Sequence, residues 1–325
     1  MQRRHFIQLC GAGIATVYLP KARGATWSTA ASLPIHVQEL YPAVHKGRLH
    51  VAGGIASRMG VPYFTNRNFA FDPSADKWHE MPELPEDLHH PALVSTGEEL
   101  LSIGGFNGAY SHVWRMRDTV YRLTEAGWET HSVLPTAQAE GVTSCHNERI
   151  HIVTGQQPRG SANTERSDHI EGTLHWYWDG DAWRDLAPIP TPRNSATGGW
   201  VGDQMIVTGG RTAEGNLSVT EIYDADSDSW RTAAPLPLPQ AGSASVVQDG
   251  KLIVFGGEIF QPEAGVFGEV WSYDIEADTW SPLPDMPTPR HGIGAGMIDG
   301  RIYVIGGATE PGGRGTSDLN EVLSL

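Results

Sequence analysis

The amino-acid sequence predicts an all-β protein, a β-propeller of six blades in which each blade is a four-stranded antiparallel sheet. Three observations lead to this fold class. The 38 Gly and 22 Pro, set against 19% charged residues, indicate many tight turns rather than long solvated helices. Gly-Gly pairs and single Trp residues both recur at intervals of about fifty residues. The Gly pairs begin at Gly53, Gly104, Gly209, Gly256 and Gly306, with Thr154-Gly155 in the remaining copy, and the Trp residues are Trp27, Trp78, Trp128, Trp183, Trp230 and Trp280.

The first half of each copy is a predicted β-hairpin, which is clearest in the last full copy. Gly292 to Ile298 is a first strand, Asp299-Gly300 a turn pair that tolerates positive φ, and Arg301 to Ile305 an apolar second strand. The Gly pair that follows lets neighbouring backbones approach where a Cβ atom would collide. Equivalent turn pairs occur at Lys46-Gly47, Thr96-Gly97, Gly202-Asp203 and Asp249-Gly250.

The second half of each copy adds two more strands. A third strand carries an aromatic residue followed by Asp, and a Trp stands six residues after that Asp, on a fourth strand. The indole is then placed to pack against the neighbouring sheet. The clearest examples are Phe71-Asp72 with Trp78, Tyr223-Asp224 with Trp230, and Tyr273-Asp274 with Trp280.

A single four-stranded sheet has two faces and exposed edges, so several such sheets are expected to wrap around an axis and bury their faces between neighbours. The copies do not begin at a blade boundary. Trp27 and Ser32 to Pro34 form a fourth strand with its exit, while Asp318 to Leu325 supplies a third strand and ends. We therefore expect the N-terminal strand to complete the last blade. A β-sandwich would leave six matched copies unexplained.

The order of Gly-Gly, aromatic-Asp and Trp at this period resembles the kelch repeat. The resemblance covers essentially all of residues 26–325. It implies a six-bladed kelch propeller as a single domain over residues 25–325, closed without a covalent link by the N-terminal strand.

Residues 1–24 are interpreted as a signal peptide. Arg3-Arg4 precedes a modestly apolar run from Phe6 to Tyr18, followed by a polar segment that ends in small residues. The run is too short to span a bilayer, which needs roughly 20 residues. The segment resembles a twin-arginine export signal, which implies a periplasmic or secreted protein with no membrane insertion after the signal is removed. The alternative is an N-terminal amphipathic helix of the folded domain.

Composition excludes several partners. The formal charge of −15 argues against a nucleic-acid partner, because binding to phosphates depends on Lys and Arg. It argues equally against a basic membrane-binding patch. The two Cys residues are Cys10, within the expected signal, and Cys145, so neither an intrachain disulfide nor a thiolate metal cluster is expected. We expect a monomer without a cofactor.

Strand direction alternates, so first strands begin and second strands end at the same side of the ring, near its axis. That mouth is the usual ligand site of a propeller. Several Arg converging there on an acidic protein could hold a carboxylate or sulfate. The candidate catalytic residues are Glu258 and Arg290, and the candidate ligand-binding residues are Arg193, Arg211, His291, His90, Phe106 and Gln156.

Other interpretations of these residues stay open. The strand-start Arg side chains could instead pair with acidic groups or loop carbonyls, and Glu258 could neutralise Arg211 or Arg290. The His residues lack a third ligand at metal spacing, so no metal site is predicted. The alternative is a metal cluster in one loop, formed by Asp168-His169, Glu171 and His175.

Aromatic residues interrupt the otherwise polar loops that follow the second strands. They suit the apolar face of a sugar ring, a protein interface, or packing back onto the blades. They are Tyr63, Phe64, Phe106, Tyr110, Trp114, Phe260 and Phe267.

Among exported bacterial kelch proteins, the layout is most similar to the six-bladed N-acetylneuraminate mutarotases. That resemblance implies a Glu just after a second strand as general acid/base, which Glu258 matches, helped by an Arg six residues later, where this chain has Ala264. Arg290 or Arg211 would substitute from neighbouring blades. Kelch repeats also occur in galactose oxidases, whose copper site needs a crosslinked Cys and Tyr that Cys145, beside a strand turn, does not fit. The leading hypothesis is an exported propeller that binds a small anionic carbohydrate, with mutarotase activity undecided; the alternative is a non-enzymatic protein-interaction module.

Overall fold

The computed structural model describes residues 24–109 and 112–325. Within them, six four-stranded antiparallel sheets form the six blades of a propeller, as the sequence predicts. The expected signal peptide lies almost wholly outside the described residues, as does Tyr110. The described residues contain no helix that is long and apolar enough to cross a membrane.

Blades 1 to 3 follow one another along the chain, and each is given by its strands in order. Blade 1 comprises Ala43–His45, Arg48–Ala52, Asn68–Asp72 and Lys77–Met81. Blade 2 comprises Ala92–Ser95, Leu100–Ile103, Thr119–Thr124 and Gly127–Val133. Blade 3 comprises Val142–His146, Arg149–Val153, His175–Trp178 and Trp183–Asp185. In each of these three blades, strands that follow one another in sequence are also hydrogen-bonded neighbours.

Blades 4 to 6 repeat this arrangement, except that the last blade draws its outer strand from the other end of the chain. Blade 4 comprises Thr197–Val201, Gln204–Thr208, Thr220–Asp224 and Ser229–Ala233. Blade 5 comprises Ala244–Gln248, Lys251–Phe255, Val270–Asp274 and Thr279–Leu283. Blade 6 comprises Gly294–Ile298, Arg301–Ile305, Asn320–Ser324 and the N-terminal strand Thr26–Thr29. The predicted closure is therefore confirmed.

The hydrophobic core is divided among the interfaces between blades. The first strands of successive blades contact one another in a closed cycle, including blade 6 with blade 1. A separate cluster of buried apolar side chains fills each of the six interfaces. At the interface that closes the ring, the Phe71 and Tyr303 rings lie 5.2 Å apart. Burial of apolar area between sheets thus holds the ring together.

The Trp residues of the fourth strands connect neighbouring blades, as predicted. Each of five indole N–H groups donates a hydrogen bond to a backbone carbonyl in the exit segment of the preceding blade. The pairs are Trp27 with Pro284, Trp78 with Ala31, Trp128 with Pro82, Trp230 with Ala187, and Trp280 with Ala234. Each indole therefore combines apolar packing with one polar anchor.

The Gly pairs have the steric role expected of them. Gly256 has a φ of +57°, and a Cβ atom there would lie 2.3 Å from the Arg290 carbonyl oxygen of the next blade. The predicted Asp-Gly turns also show positive φ at both residues, as in Asp249 (50°) and Gly250 (73°). These are the values that a two-residue type I′ hairpin needs.

Small accessory hairpins stand on the mouth end of the ring. They follow the second strands of blades 1 to 5 and carry the polar and aromatic loops noted in the sequence. Their strands are Ile55–Arg58 with Val61–Phe64 and His36–Gln38, Phe106–Ala109 with His112–Met116, Gln156–Pro158 with His169–Glu171, Arg211–Thr212 with Gly215–Asn216, and Glu258–Ile259 with Gly265–Val266. A single 3-10 turn, Arg166–Asp168, lies within the third hairpin.

Candidate functional site

The segments before the first strands and after the second strands meet at one end of the channel, as the sequence predicts. In each blade, a residue just before the first strand pairs with the residue that follows the Gly pair. The pairs are Gln38 with Ile55, His89 with Phe106, Ala139 with Gln156, Asn194 with Arg211, Ala241 with Glu258, and His291 with Ala308. Six short backbone bridges therefore surround the mouth.

The next residue in each blade turns the chain toward the first strand with a left-handed backbone conformation. We call these six positions the rim residues: Glu39 (φ 60°), His90 (58°), Glu140 (57°), Ser195 (52°), Gly242 (66°) and Gly292 (55°). Backbone hydrogen bonds connect four neighbouring pairs around the mouth, from Ser195 to Glu140, Gly242 to Ser195, Gly292 to Gly242, and Glu39 to Gly292. The rim thus joins residues that are distant in sequence.

The rim is chemically asymmetric. Blades 4 to 6 place small residues there, whereas blades 1 to 3 place Glu39, His90 and Glu140. A residue with a Cβ atom pays roughly 1–2 kcal/mol for the left-handed conformation that Gly adopts freely. Backbone strain of this kind is concentrated at functional sites. Three ionisable residues at strained positions around one axis therefore indicate a site.

Glu258 is the centre of a cluster contributed by blades 4, 5 and 6. Its carboxylate accepts a hydrogen bond from Arg211 Nη1 at 2.6 Å and another from the Gly312 backbone N–H at 2.8 Å. His291 Nδ1 lies 3.4 Å from the Glu258 Oε2 atom. Phe260, half-exposed, lies beside this cluster, with its ring centroid 5.6 Å from the Arg211 guanidinium carbon.

The Glu258 carboxylate and the His291 ring face one another, with His291 Nδ1 accepting or donating no hydrogen bond among the described residues. His291 Nε2 lies 3.0 Å from the Glu310 carbonyl oxygen and 3.1 Å from that of Gly312, and carbonyls only accept, so Nε2 carries a hydrogen. A neutral ring would then turn the bare lone pair of Nδ1 toward the carboxylate of Glu258. The arrangement is favourable only when either His291 Nδ1 or Glu258 is protonated.

Glu39 connects this cluster to the other side of the mouth. Its Oε2 atom lies 3.1 Å from His90 Nε2, and its Oε1 atom lies 3.9 Å from His291 Nδ1. Burial raises the pKa of Glu39, but His90, His291 and Arg211 together outweigh burial and bring that pKa well below its ordinary range. Glu39 is therefore an ionised carboxylate at neutral pH.

The central channel continues below the rim as a cavity of about 110 Å³. Glu39, Tyr41 and Ser195 line it together with small residues of the first strands. Burial, followed by the charges of Glu140 and Glu39, raises the pKa of the Tyr41 hydroxyl well above its ordinary value. Tyr41 therefore remains a neutral hydrogen-bonding group close to both carboxylates.

Comparison with known proteins identifies the repeat. Residues 130–307, more than half of the chain, match the family described as the KLHDC2/KLHL20/DRC7 Kelch-repeats domain. The chain belongs to the kelch-repeat family. The kelch propeller is thus established independently of its geometry.

Two further similarities, one in sequence and one in structure, concern individual proteins. The kelch chain is 27% identical over 215 residues to the Kelch-like protein terF of Aspergillus terreus (strain NIH 2624 / FGSC A1156), which covers 62% of this chain and 45% of that relative. The match thus spans less than half of the relative's length. The solved structure titled "Structure of YjhT" superposes with a TM-score of 0.76 at 16% identity, covering 92% of this chain and 97% of the other. At that identity the likeness concerns the kelch fold alone.

Two residues that the sequence placed at the mouth lie inside their blades instead. Arg193 and Arg290 are 0% exposed and lie inside their own blades. Arg193 donates to Glu221 at 2.5 Å, and Arg290 donates to Glu321 at 2.7 Å; both also donate to backbone carbonyls of the same blade. The expectation that these guanidinium groups face the mouth is therefore wrong, because the third strand of each blade supplies a buried carboxylate that draws the side chain inward.

The other predicted residues lie around the mouth. Arg211, Glu258, His291 and His90 belong to the clusters described above. Phe106 is fully buried, and its ring stacks on His89 at a centroid distance of 5.1 Å. Gln156 is buried beside Ala139, and its Oε1 atom accepts no hydrogen bond from a described residue.

The alternative metal cluster in the third hairpin is not assembled. The Asp168 carboxylate accepts hydrogen bonds from the backbone of Thr164 and Glu165, and Glu171 accepts one from Asn194. His175 instead contacts His151 inside blade 3. Among the described residues, no group of three or more His, Cys, Asp or Glu is placed to hold a metal ion.

Sequence reasoning missed Glu39 and Glu140. A signal for both was present, because in two copies Gly242 and Gly292 occupy the position equivalent to these residues. A position where the repeat requires a left-handed conformation, but which carries an ionisable residue in some copies, is a candidate site position.

Proposed function

We propose that the protein binds a small polyhydroxylated carbohydrate at the mouth of the channel and catalyses exchange of its anomers, with Glu258 and His291 as the acid–base pair. The observation that carries the proposal is the 3.4 Å approach of His291 Nδ1 to Glu258 Oε2, two groups able to exchange a proton, at a mouth built from six blades. The resemblance of the sequence to N-acetylneuraminate mutarotases supports it, since Glu258 matches the acid/base position of that family.

The chemistry needs only one such pair. The pair donates its proton to the ring oxygen of the sugar, and the bond between that oxygen and the anomeric carbon breaks. The anomeric hydroxyl releases its proton to the pair, so the anomeric carbon becomes a carbonyl. Rotation about the adjacent carbon–carbon bond and the reverse transfers close the ring as the other anomer. The pair ends in its starting protonation state.

The charge of the ligand is a separate question. Two of the three Arg side chains that suggested an anionic sugar are buried against Glu221 and Glu321. Arg211 is already paired with Glu258. No Arg side chain of this set is left without a carboxylate partner, so the charges at the mouth support a neutral sugar better than an acidic one. Phe260, half-exposed beside Arg211, offers an aromatic face for its apolar side.

Calorimetric titration with D-galactose, D-galacturonate and N-acetylneuraminate tests binding, and NMR exchange spectroscopy between anomers tests catalysis. We expect binding to at least one sugar and faster anomer exchange in its presence. Glu258→Gln should reduce the catalysed exchange rate by roughly 100-fold or more, the range for loss of a general acid–base group. Glu214→Gln, at an exposed hairpin tip, is the matched control and should leave the rate unchanged. No binding and no rate enhancement would contradict the proposal.

A second function, as a protein-interaction module, is favoured by the accessory hairpin of blade 1. Met59 at its tip is 97% exposed, and Val61 and Tyr63 beside it are also exposed. Apolar side chains presented together at a loop tip are typical of a protein contact. A partner that co-purifies from periplasmic extract with the wild type, and is lost when all three residues are replaced by Ser, would support this function.

We propose further that the protein is exported by the twin-arginine pathway and that residues 1–24 are its signal peptide. The basis is the paired Arg3-Arg4 before the apolar run. Replacement of both Arg residues by Lys should retain the protein in the cytoplasm with its N-terminus uncleaved. Fractionation and N-terminal mass determination would show this, and unchanged export of the variant would contradict it.

A further inference from the structure

The three ionisable rim residues form a second polar cluster, on the opposite side of the mouth from Glu258. His90 Nε2 lies 3.1 Å from Glu39 Oε2 and 3.3 Å from Glu140 Oε1. One imidazole nitrogen is thus shared by two carboxylates from different blades. His89 and Arg166 border the same cluster, with Arg166 Nη2 3.6 Å from Glu140 Oε1.

The protonation of His90 follows from its neighbours. His89 Nε2 lies 2.6 Å from the Val113 carbonyl oxygen, so this nitrogen carries a hydrogen. Burial, followed by the charge of His90, lowers the pKa of His89 to about 3, which keeps His89 neutral and its Nδ1 atom bare. His90 Nδ1, at 2.8 Å from that bare nitrogen, must therefore donate to it.

The other nitrogen of His90 faces two acceptors. Glu39 Oε2 and Glu140 Oε1 both face His90 Nε2, at 3.1 and 3.3 Å. A bare Nε2 between two carboxylate oxygens would be repelled by both, whereas an Nε2–H group is attracted by both. With hydrogens on both nitrogens, His90 is an imidazolium ion. Its charge offsets part of the repulsion between Glu39 and Glu140.

Glu140 is incompletely satisfied. Its side chain is 0% exposed, yet neither carboxylate oxygen accepts a well-formed hydrogen bond from a described residue. Buried carboxylate oxygens without donors are costly and rare, so they indicate a partner that arrives from elsewhere. The Arg166 side chain beside it is half-exposed and stacks on the Trp114 ring at 4.5 Å, which gives it an alternative contact if it moves away from Glu140.

We propose that Glu140 accepts a hydrogen bond from a hydroxyl or ammonium group of the molecule bound at the mouth, and that a protonated His90, shared with Glu39, keeps Glu140 ionised for this contact. The inference rests on the proposed function and adds a second contact to it, opposite the Glu258–His291 pair. It specifies a ligand with a hydrogen-bond donor directed at blade 3. Because Glu140 is the carboxylate without a donor, this side of the mouth calls for a hydroxyl or ammonium group of the ligand rather than a carboxylate.

The protonation is tested on the wild-type protein without a ligand. Nitrogen-15 NMR of the histidine rings should show both nitrogens of His90 protonated at pH 7, and the tautomer of His89 with its hydrogen on Nε2. A neutral His90 ring in the wild type at pH 7 would overturn the inference.

The ligand contact is tested by calorimetry with D-galactose and D-galactosamine, which differ in one hydroxyl or ammonium group. Glu140→Gln should weaken binding by roughly 10-fold or more, and by more for the ammonium sugar, because a charged hydrogen bond is lost. Glu214→Gln is the control. Equal affinities in the wild type and Glu140→Gln would overturn the inference while leaving the proposed function intact. If the wild type binds neither sugar, both the proposed function and the ligand contact fail, and the NMR result still decides the state of His90.

Discussion

The two buried arginines show how a residue can share a sequence position with the site without belonging to it. Arg193 and Arg290 come from the same Thr-Pro-Arg tripeptide, and in each blade the tripeptide Thr also donates a hydrogen bond to the carboxylate that holds the Arg. Each set of Thr, Arg and Glu connects the start of a blade to its third strand. Such a buried ion pair is strongly sensitive to removal of one partner.

We expect Arg193→Ala to lower the free energy of unfolding by about 3–5 kcal/mol, because Glu221 is left buried without its partner. Urea denaturation measures this. The double variant Arg193→Met with Glu221→Leu should recover most of the loss, since the uncompensated charge is gone. Arg184→Ala, which breaks the exposed pair with Asp179, is the control and should lower the free energy of unfolding far less than Arg193→Ala does. Equal losses at Arg193 and Arg184 would contradict the prediction.

At this scale the sequence predicted the site only in part. The repeat specifies the position of a residue along the channel axis, and Arg211, Glu258, His291 and His90 do lie at the mouth, where their roles stay predictions. It does not specify whether a side chain points to the axis or into its own blade. The direction of the side chain depends on a partner distant in sequence. Glu221, the partner of Arg193, is 28 residues further along the chain, and the sequence alone does not show that the two are in contact.

Among the elements, the N-terminal strand has a distinct role. It pairs with the last strand of the chain from Thr26 with Ser324 to Thr29 with Glu321. Trp27 extends its indole to the Pro284 carbonyl of blade 5, and Leu33 lies in the core between blades 6 and 1. The strand thus closes blade 6 and contributes to both of its interfaces.

Deletion of residues 26–33 should lower the melting temperature and cause aggregation, because the last strand becomes an exposed edge and two apolar clusters lose members. Differential scanning calorimetry and light scattering measure the two effects. Trp27→Phe, which retains the strand but removes the hydrogen bond to Pro284, should be destabilised less and remain soluble. An unchanged melting temperature in the deletion variant would disprove the role of the strand.

Elements were predicted well wherever the repeat dictates backbone geometry. Asp-Gly turns, Gly pairs and the fourth-strand Trp all follow from local stereochemistry that recurs in copy after copy. The accessory hairpins vary in length and sequence, so no period revealed their pairing. Their aromatic residues accordingly differ in role: Phe64 stacks on His89 at 4.4 Å, whereas Tyr63 is exposed.

The whole molecule contains several buried histidines that must stay neutral. Burial is the largest cause of a lowered pKa in each of them. The pKa values fall to about 4 for His50, about 3 for His89, about 3 for His151 and about 4 for His175. The unfolded chain binds protons at these side chains near the ordinary pKa of about 6.5. Below that pH, protons therefore favour the unfolded chain.

We expect the free energy of unfolding to decrease as the pH falls from 7 to 5, by up to about 1.4 kcal/mol per pH unit for each buried histidine below pH 6.5. The decrease should continue until the pH approaches 4, where His50 and His175 begin to bind protons in the folded state. Urea denaturation across this range measures the effect. In His50→Gln the slope should be shallower than in the wild type. A free energy independent of pH between 7 and 5 would contradict the prediction.

Each blade contributes one left-handed residue to the rim, so the mouth has six structurally equivalent positions. The rim side chains do not belong to the apolar clusters that hold the blades together, so a residue at one of these positions can be replaced while the fold is retained. Two acids and a base occupy the positions of blades 1 to 3, and small residues occupy those of blades 4 to 6. The mouth therefore presents different chemistry on its two sides, although the scaffold around it is nearly six-fold symmetric.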